Sequence, residues 1–121
     1  MHKLNHKVAL VVGGGNGIGE QIARTLAQAG ATVVVADYCL EDAQRVVQQL
    51  IADGGRALAV RTDITDEQDV CALTDTAVAR FKHIDILVNS AAATDPMVTA
   101  VSGGAPARAF DAAAAADVAP I

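Results

Sequence analysis

The sequence predicts an α/β fold, a parallel sheet with helices on both faces. Three observations predict it: four short apolar runs rich in β-branched residues, three intervening segments with apolar residues at helical spacing, and a glycine-rich turn at the first junction. Strands buried on both faces read as continuous apolar runs, and strand-helix alternation with right-handed crossovers makes neighbouring strands parallel.

KVALVV (residues 7–12) is the first expected strand, followed at once by GGGNGIG (residues 13–19), five glycines in seven positions. Ile18, Ile22, Leu26 and Ala29 then recur at helical spacing, and Gly30 stands where a C-cap is expected. ATVVVAD (residues 31–37) is the second strand, Val46, Val47 and Leu50 mark a second helix, and Gly54 and Gly55 close it. RALAVRTD (residues 56–63) is the third strand. Thr65 with Gln68 forms a capping box for a third helix carried by Val70, Leu73, Ala77 and Phe81, and HIDILVN (residues 83–89) is the fourth strand. Right-handed winding then predicts the strand order 3-2-1-4, with a ligand crevice between strands 1 and 4.

Beyond residue 92 the pattern stops. The stretch from Thr94 onward is alanine-rich and lacks strand patterning; alanine propensity with Pro106 at its start predicts a helix over residues 107–118, disorder being the other reading of the same composition. The expected organisation is a ligand-binding α/β unit over residues 1–92 and a tail over residues 93–121. Strand 4 would then be a sheet edge, whose unpaired N–H and C=O groups form a template for self-association.

Composition narrows the partners. A formal net charge of -5 and three aromatic residues (Tyr38, Phe81, Phe110) argue against a nucleic-acid surface, which needs clustered cations and stacking rings. With 52% hydrophobic residues and a mean hydropathy of +0.33 the chain is not a disordered one. Apolar stretches are too short for a secretory or membrane-spanning segment, so a cytoplasmic location is expected. Cys39 and Cys71 form no CxxC pair and read as reduced core thiols, while Asp66, Glu67 and Asp69 read as the negative first turn of a helix; no metal site is assigned.

A glycine turn between strand and helix lets a backbone approach a ligand closely, and the free N–H groups of the helix start attract an anion such as a pyrophosphate. Gly13, Gly17 and Gly19 have the spacing G-x-x-x-G-x-G rather than the commoner G-x-G-x-x-G. Context strengthens the reading: Asp37, at the end of the second strand, lies 18 residues after Gly19, and an acidic residue at about that interval partners an adenosine ribose.

These residues resemble a known family. VGGGNGIG (residues 12–19), VVVAD (residues 33–37), TDIT (residues 62–65) and DILVNSAA (residues 85–92) are similar, in order and spacing, to the amino-terminal half of a short-chain dehydrogenase/reductase. The resemblance implies a Rossmann-like sheet, here truncated after the fourth strand, and assigns Gly13, Asn16, Gly17, Ile18 and Gly19 to the pyrophosphate turn. It also implies that Asp37 accepts hydrogen bonds from the adenosine ribose, that Asp63 and Ile64 flank the adenine, and that Asn89 and Ala91 face the nicotinamide ribose. Asp63 has a plainer reading too, as a polar strand end leading into a capped helix. Since a carboxylate repels a 2′-phosphate and the turn itself holds no Arg or Lys, NAD is favoured over NADP, with Arg24 a distant contact at most. Val12 stands where the family usually has Thr, and Asn89, Ser90, Ala91, Ala92 stand for the family's Asn-Asn-Ala-Gly.

The family's Tyr-x-x-x-Lys pair, which handles the proton while the cofactor carries the hydride, has no counterpart here. Tyr38 is the only tyrosine, with Asp42 four residues on, and no lysine follows Lys82. No catalytic residue is therefore assigned. Two expectations stand: the NAD-binding portion of a short-chain oxidoreductase acting on an alcohol or ketone, whose catalytic half lies outside this chain, or a catalytically inactive dinucleotide-binding or interaction module.

Overall fold

The computed structural model of the chain describes residues 3–15, 17–90 and 97–100, the last four through their backbone. The expected strands form β1 (Val8–Val12), β2 (Thr32–Asp37), β3 (Arg56–Arg61) and β4 (Ile86–Asn89), and α1 (Gly17–Gln28), α2 (Leu40–Ala52) and α3 (Glu67–Phe81) alternate with them. These four strands are parallel in the order β3-β2-β1-β4, so the order reverses between β1 and β4.

Alternation along each strand splits the core into two layers. Leu10, Val12, Val34, Ala36 and Leu87 pack with Val70, Leu73 and Ala77 of α3, while Ala9, Val11, Val33, Val35 and Val88 pack with Ala23 of α1 and Ala43, Val46 and Leu50 of α2. Both faces of β1 and β2 are covered, which is why these runs carry no polar alternation, whereas β3 at the sheet edge is only partly buried. Each fully buried Val or Leu contributes about 1.5–3 kcal/mol over an exposed one, so Leu10, Val11 and Val33 to Val35 anchor the sheet.

The start of β4 is fixed to the start of β1 by one side chain. Asp85 Oδ2 accepts from the Val8 amide at 2.8 Å and lies 2.6 Å from His83 Nδ1, while the Asp85 amide donates to the Val8 carbonyl at 2.8 Å. That clasp sets the register in which Ala9 pairs with Ile86 and Val12 with Asn89.

Four expectations are corrected. Ile18 is not a core residue of α1 but is 55% exposed, because Gly19 and Ala23 are the residues turned to the sheet and their small size lets the helix come close. The N-cap of α3 is Asp66, whose Oδ1 accepts from the Gln68 amide at 2.9 Å; Thr65 is instead drawn to Asp63 Oδ1 through its amide and hydroxyl. Cys39 is exposed and Cys71 partly so, hence neither is a core thiol. Finally, β4 is not an edge: Met97–Ala100, inside the segment expected to lack strands, forms β5, which pairs antiparallel with β4 from Asn89↔Met97 to Ile86↔Ala100. Its ladder satisfies the groups on which self-association through β4 depended.

The helix expected over residues 107–118 lies outside the described residues. Among the described residues no helix is long and apolar enough to cross a membrane.

Candidate functional site

Register brings three of the singled-out positions to one edge of the sheet. Val12 pairs with Ala36 on one side and with Asn89 on the other, so Gly13, Asp37 and Asn89 emerge together at the C-terminal ends of adjacent strands. Asp37 in turn pairs with Arg61, two residues before Asp63. The point where strand order reverses thus carries the glycine turn, and ligands of open parallel sheets bind outside the strand ends at such a point.

The turn is held by main-chain bonds to β2: the Gly13 amide donates to the Ala36 carbonyl at 2.7 Å, and the Gly14 amide to the same oxygen at 3.3 Å. Gly17, at φ +59 with open space where a Cβ would stand, begins α1, whose first N–H groups have no acceptor within the helix. Gly19 is required for a different reason. A Cβ there would stand 2.0 Å from the Gly13 carbonyl oxygen and 2.5 Å from Ser90 Oγ, so only glycine lets α1 cross the end of β1 this closely.

Ser90 supplies the hydroxyl that Val12 lacks. Its Oγ donates toward the carbonyls of Val12 and Gly13, both at 3.2 Å, and its amide donates to Val12 at 2.9 Å. The resemblance marked the missing Thr, yet the replacement comes from the end of β4, where the local pattern gives no signal for it.

Asp37 accepts from the Gly15 amide through Oδ2 and from the Cys39 amide through Oδ1, both at 3.0 Å. A carboxylate offers about four acceptor sites, so both oxygens keep capacity for ligand hydroxyls. Asp63 is turned onto its own loop. The Thr65 hydroxyl and amide, with Arg61 nearby, hold its carboxyl below the ordinary range against a small desolvation cost, and its amide donates to Asp69 Oδ2 at 3.0 Å. The plainer reading of Asp63 is thus a feature of the structure, and Ile64 likewise packs against the α3 side of the core. Thr62, between them and β3, is 3% exposed, and its Oγ1 has no hydrogen-bond partner among the described residues.

Asn89 is 2% exposed at the end of β4. Asn16 and Ala91 lie outside the described residues. Two charged residues absent from the sequence reading also belong to this edge: Arg45 of α2 donates to the Gly15 carbonyl at 2.8 Å, and Glu20 of α1 meets Arg45 at 3.3 Å. Nothing in their spacing marks them, because the contact joins two helices across 25 residues. Among the described residues, no group of three His, Cys, Asp or Glu is placed to hold a metal.

Known proteins share this arrangement. The short chain dehydrogenase family matches residues 7–116. A 7alpha-hydroxysteroid dehydrogenase of Escherichia coli (strain K12) is 46% identical over 94 residues, covering 78% of this chain and 37% of the relative. The cyclohexanol dehydrogenase of Acinetobacter sp. (strain SE19) is 42% identical over 90 residues, 74% of this chain and 36% of the relative. Among solved structures, a hydroxysteroid dehydrogenase from Escherichia coli superposes with a TM-score of 0.71 at 47% identity, over 72% of this chain and 37% of that one. The chain therefore spans little more than a third of the length of these relatives. With the sheet order, the glycine turn and the family match in agreement, the chain belongs to the short-chain dehydrogenase/reductase family of oxidoreductases, which bind a nicotinamide dinucleotide.

Proposed function

We propose that this chain is the NAD(H)-binding portion of a short-chain oxidoreductase that moves a hydride between a nicotinamide cofactor and an alcohol or ketone. The observation that carries it is the bond from the Gly15 amide to Asp37 Oδ2, which ties the expected pyrophosphate turn to the expected ribose acceptor. The residues suit the group: the open space over Gly17, the α1 N-terminus and the spare acceptor capacity of Asp37 are what a dinucleotide would engage. Gly13, Asn16, Gly17, Ile18 and Gly19 would hold the pyrophosphate, Asp37 the adenosine ribose, Asp63 and Ile64 the adenine side, and Asn89 and Ala91 the nicotinamide ribose. When bound, the cofactor supplies hydride transfer, and the chain's own residues bind and orient it.

Selectivity follows from charge. A 2′-phosphate would meet the Asp37 carboxylate, so NAD(H) is favoured over NADP(H). Titration of the chain with NADH and NADPH by fluorescence or calorimetry tests this: tighter NADH binding is expected, and equal or tighter NADPH binding would sink the assignment of Asp37.

A second reading is favoured by one observation. The only tyrosine, Tyr38, is 64% exposed beside Asp37, with Arg61 over its ring at 4.8 Å, and no Tyr-x-x-x-Lys occurs in the 121 residues. On that reading the chain is a dinucleotide-binding module without turnover. Absorbance at 340 nm over a panel of alcohols and ketones tests what the two readings share, that these 121 residues by themselves show no turnover: a cofactor-dependent change above a heat-killed control would refute it.

A further inference from the structure

Arg45 brings a guanidinium to the glycine turn from outside it. Its Nη2 donates to the Gly15 carbonyl at 2.8 Å, and the amide of the same glycine donates to Asp37 Oδ2 at 3.0 Å. One residue separates cation and carboxylate, which places them within about 10 Å, near one Debye length at physiological salt. Any phosphate drawn up to Asp37 enters the field of Arg45 as well, and Arg45 acts on it with the opposite sign.

That cation is compensated. Glu20 of α1 stands 3.3 Å and 3.4 Å from Arg45 through its two carboxylate oxygens, and Asp42 on α2 adds a weaker attraction. Arg24 donates to Glu20 at 2.8 Å and also to Gln49, so the carboxylate is held in place between two guanidinium groups. The hydrogen bond from Arg45 depresses the Glu20 pKa against the opposing effect of burial, and the Arg24 bond adds to it, so Glu20 is charged at neutral pH. Arg61, the register partner of Asp37, has its guanidinium over the Tyr38 ring at 4.8 Å and lies 3.8 Å from Asp69.

We propose that Glu20 and Arg45 form a specificity-determining pair for the adenosine end of the dinucleotide: Glu20 offsets part of the positive field that Arg45 brings to the turn, and so preserves the bias of Asp37 against a 2′-phosphate. This rests on the reading of Asp37 as the ribose-facing carboxylate. Glu20 and Arg45 act through field and through the turn, so they are positioning and selectivity residues rather than catalytic ones. The two partners must shift selectivity in opposite directions, which separates the proposal from a purely structural role.

The experiment titrates the full 121-residue chain with NADH and NADPH, as wild type, Glu20→Gln, Arg45→Met and the double variant, with circular dichroism melts confirming that each folds. Glu20→Gln is expected to tighten NADPH binding about fivefold while NADH changes by less than about twofold, narrowing the ratio. Arg45→Met removes the cation that touches the turn while Glu20 keeps its pairing with Arg24, and is expected to widen the ratio by a similar factor, and the double variant to return it near the wild-type value. If one single variant does not fold, the other decides by the direction of its shift. Parallel loss of both dinucleotides, or a ratio that stays put in the single variants, overturns the pair while leaving the Asp37 reading intact. A wild type that binds NADPH as tightly as NADH, or binds neither, overturns the Asp37 reading and the pair with it.

Discussion

Gly15 and Asp37 are joined amide to carboxylate at 3.0 Å, so the group expected to face the ribose also fixes the conformation of the turn. Replacement of Asp37 by Ala therefore has two expected effects. Loss of the acceptor for the Gly15 and Cys39 amides lowers stability by about 1–2 kcal/mol, and loss of the charge narrows the NADH/NADPH gap by about 1–3 kcal/mol. Chemical denaturation measures the first and paired titrations the second. An unchanged gap with lowered stability would show that Asp37 serves the turn alone.

The parallel sheet was legible because both of its faces are buried: Val33, Val34 and Val35 are all fully covered, and such runs stand out in any sequence. Gly19 was legible because a Cβ there would meet the Gly13 carbonyl, and Gly17 because its φ of +59 favours glycine. Ile18 misled, since helical spacing marks an apolar stripe without saying whether Gly19 and Ala23 have already claimed the sheet. β5 was invisible for another reason: Met97–Ala100 is as short as β4 but stands in an alanine-rich stretch, without the continuous apolar run that marks Ile86 to Val88. Arg45 and Glu20 could not be read at all, because a contact across 25 residues between two helices depends on tertiary geometry.

Gly19 tests the closeness of α1 to β1. A Cβ at this position would stand 2.0 Å from the Gly13 carbonyl, a backbone atom that cannot rotate aside. Gly19→Ala is expected to destabilise the fold by about 1–3 kcal/mol, through overpacking at a buried backbone crossing. Gly17→Ala has open space around its Cβ and costs only the strain of φ +59, about 1–2 kcal/mol. Thermal melts of the two variants should therefore differ, with Gly19→Ala the less stable; the reverse order would mean that the approach of α1 is not tight.

Acid should loosen the Glu20 clasp. The Arg45 hydrogen bond, chief among the causes, holds the folded-state pKa of Glu20 below its ordinary 4.5, with Arg24 assisting. A lowered folded pKa contributes stability that is complete above about pH 4.5 and is lost as pH falls through the depressed value. Since Arg45 is half exposed and water screens the pair, the contribution is at most about 1 kcal/mol. Asp63, also depressed, titrates in the same direction, so the comparison must be between wild type and Glu20→Gln. The variant is expected to lose less stability between pH 5 and pH 3 than the wild type, measured by urea denaturation; identical slopes would mean that Glu20 is not held in the folded state.

The crevice between β1 and β4 depends on a residue at its far end. Asp85 accepts the Val8 amide through the same oxygen that faces His83, and returns its own amide to the Val8 carbonyl, so the strands enter their pairing already in step. Asp85 is a charged acceptor for an amide at the head of a buried strand, and Val8 itself is 4% exposed. Asp85→Ala leaves that amide without its side-chain acceptor and is expected to cost about 1–3 kcal/mol. Asp85→Asn keeps an acceptor oxygen and is expected to recover part of the loss, because the Val8 bond can persist while the pairing with His83 weakens. The consequence for the site is geometric: Asn89 reaches the turn only if Val12 pairs with it, and that register is counted from this clasp. Hydrogen exchange should therefore show faster exchange of the β4 amides from Ile86 to Asn89 in Asp85→Ala than in the wild type, with β2 and β3 unaffected at the same denaturant concentration. Exchange that rises equally in all strands would place the effect in global stability and remove Asp85 from the alignment of the crevice.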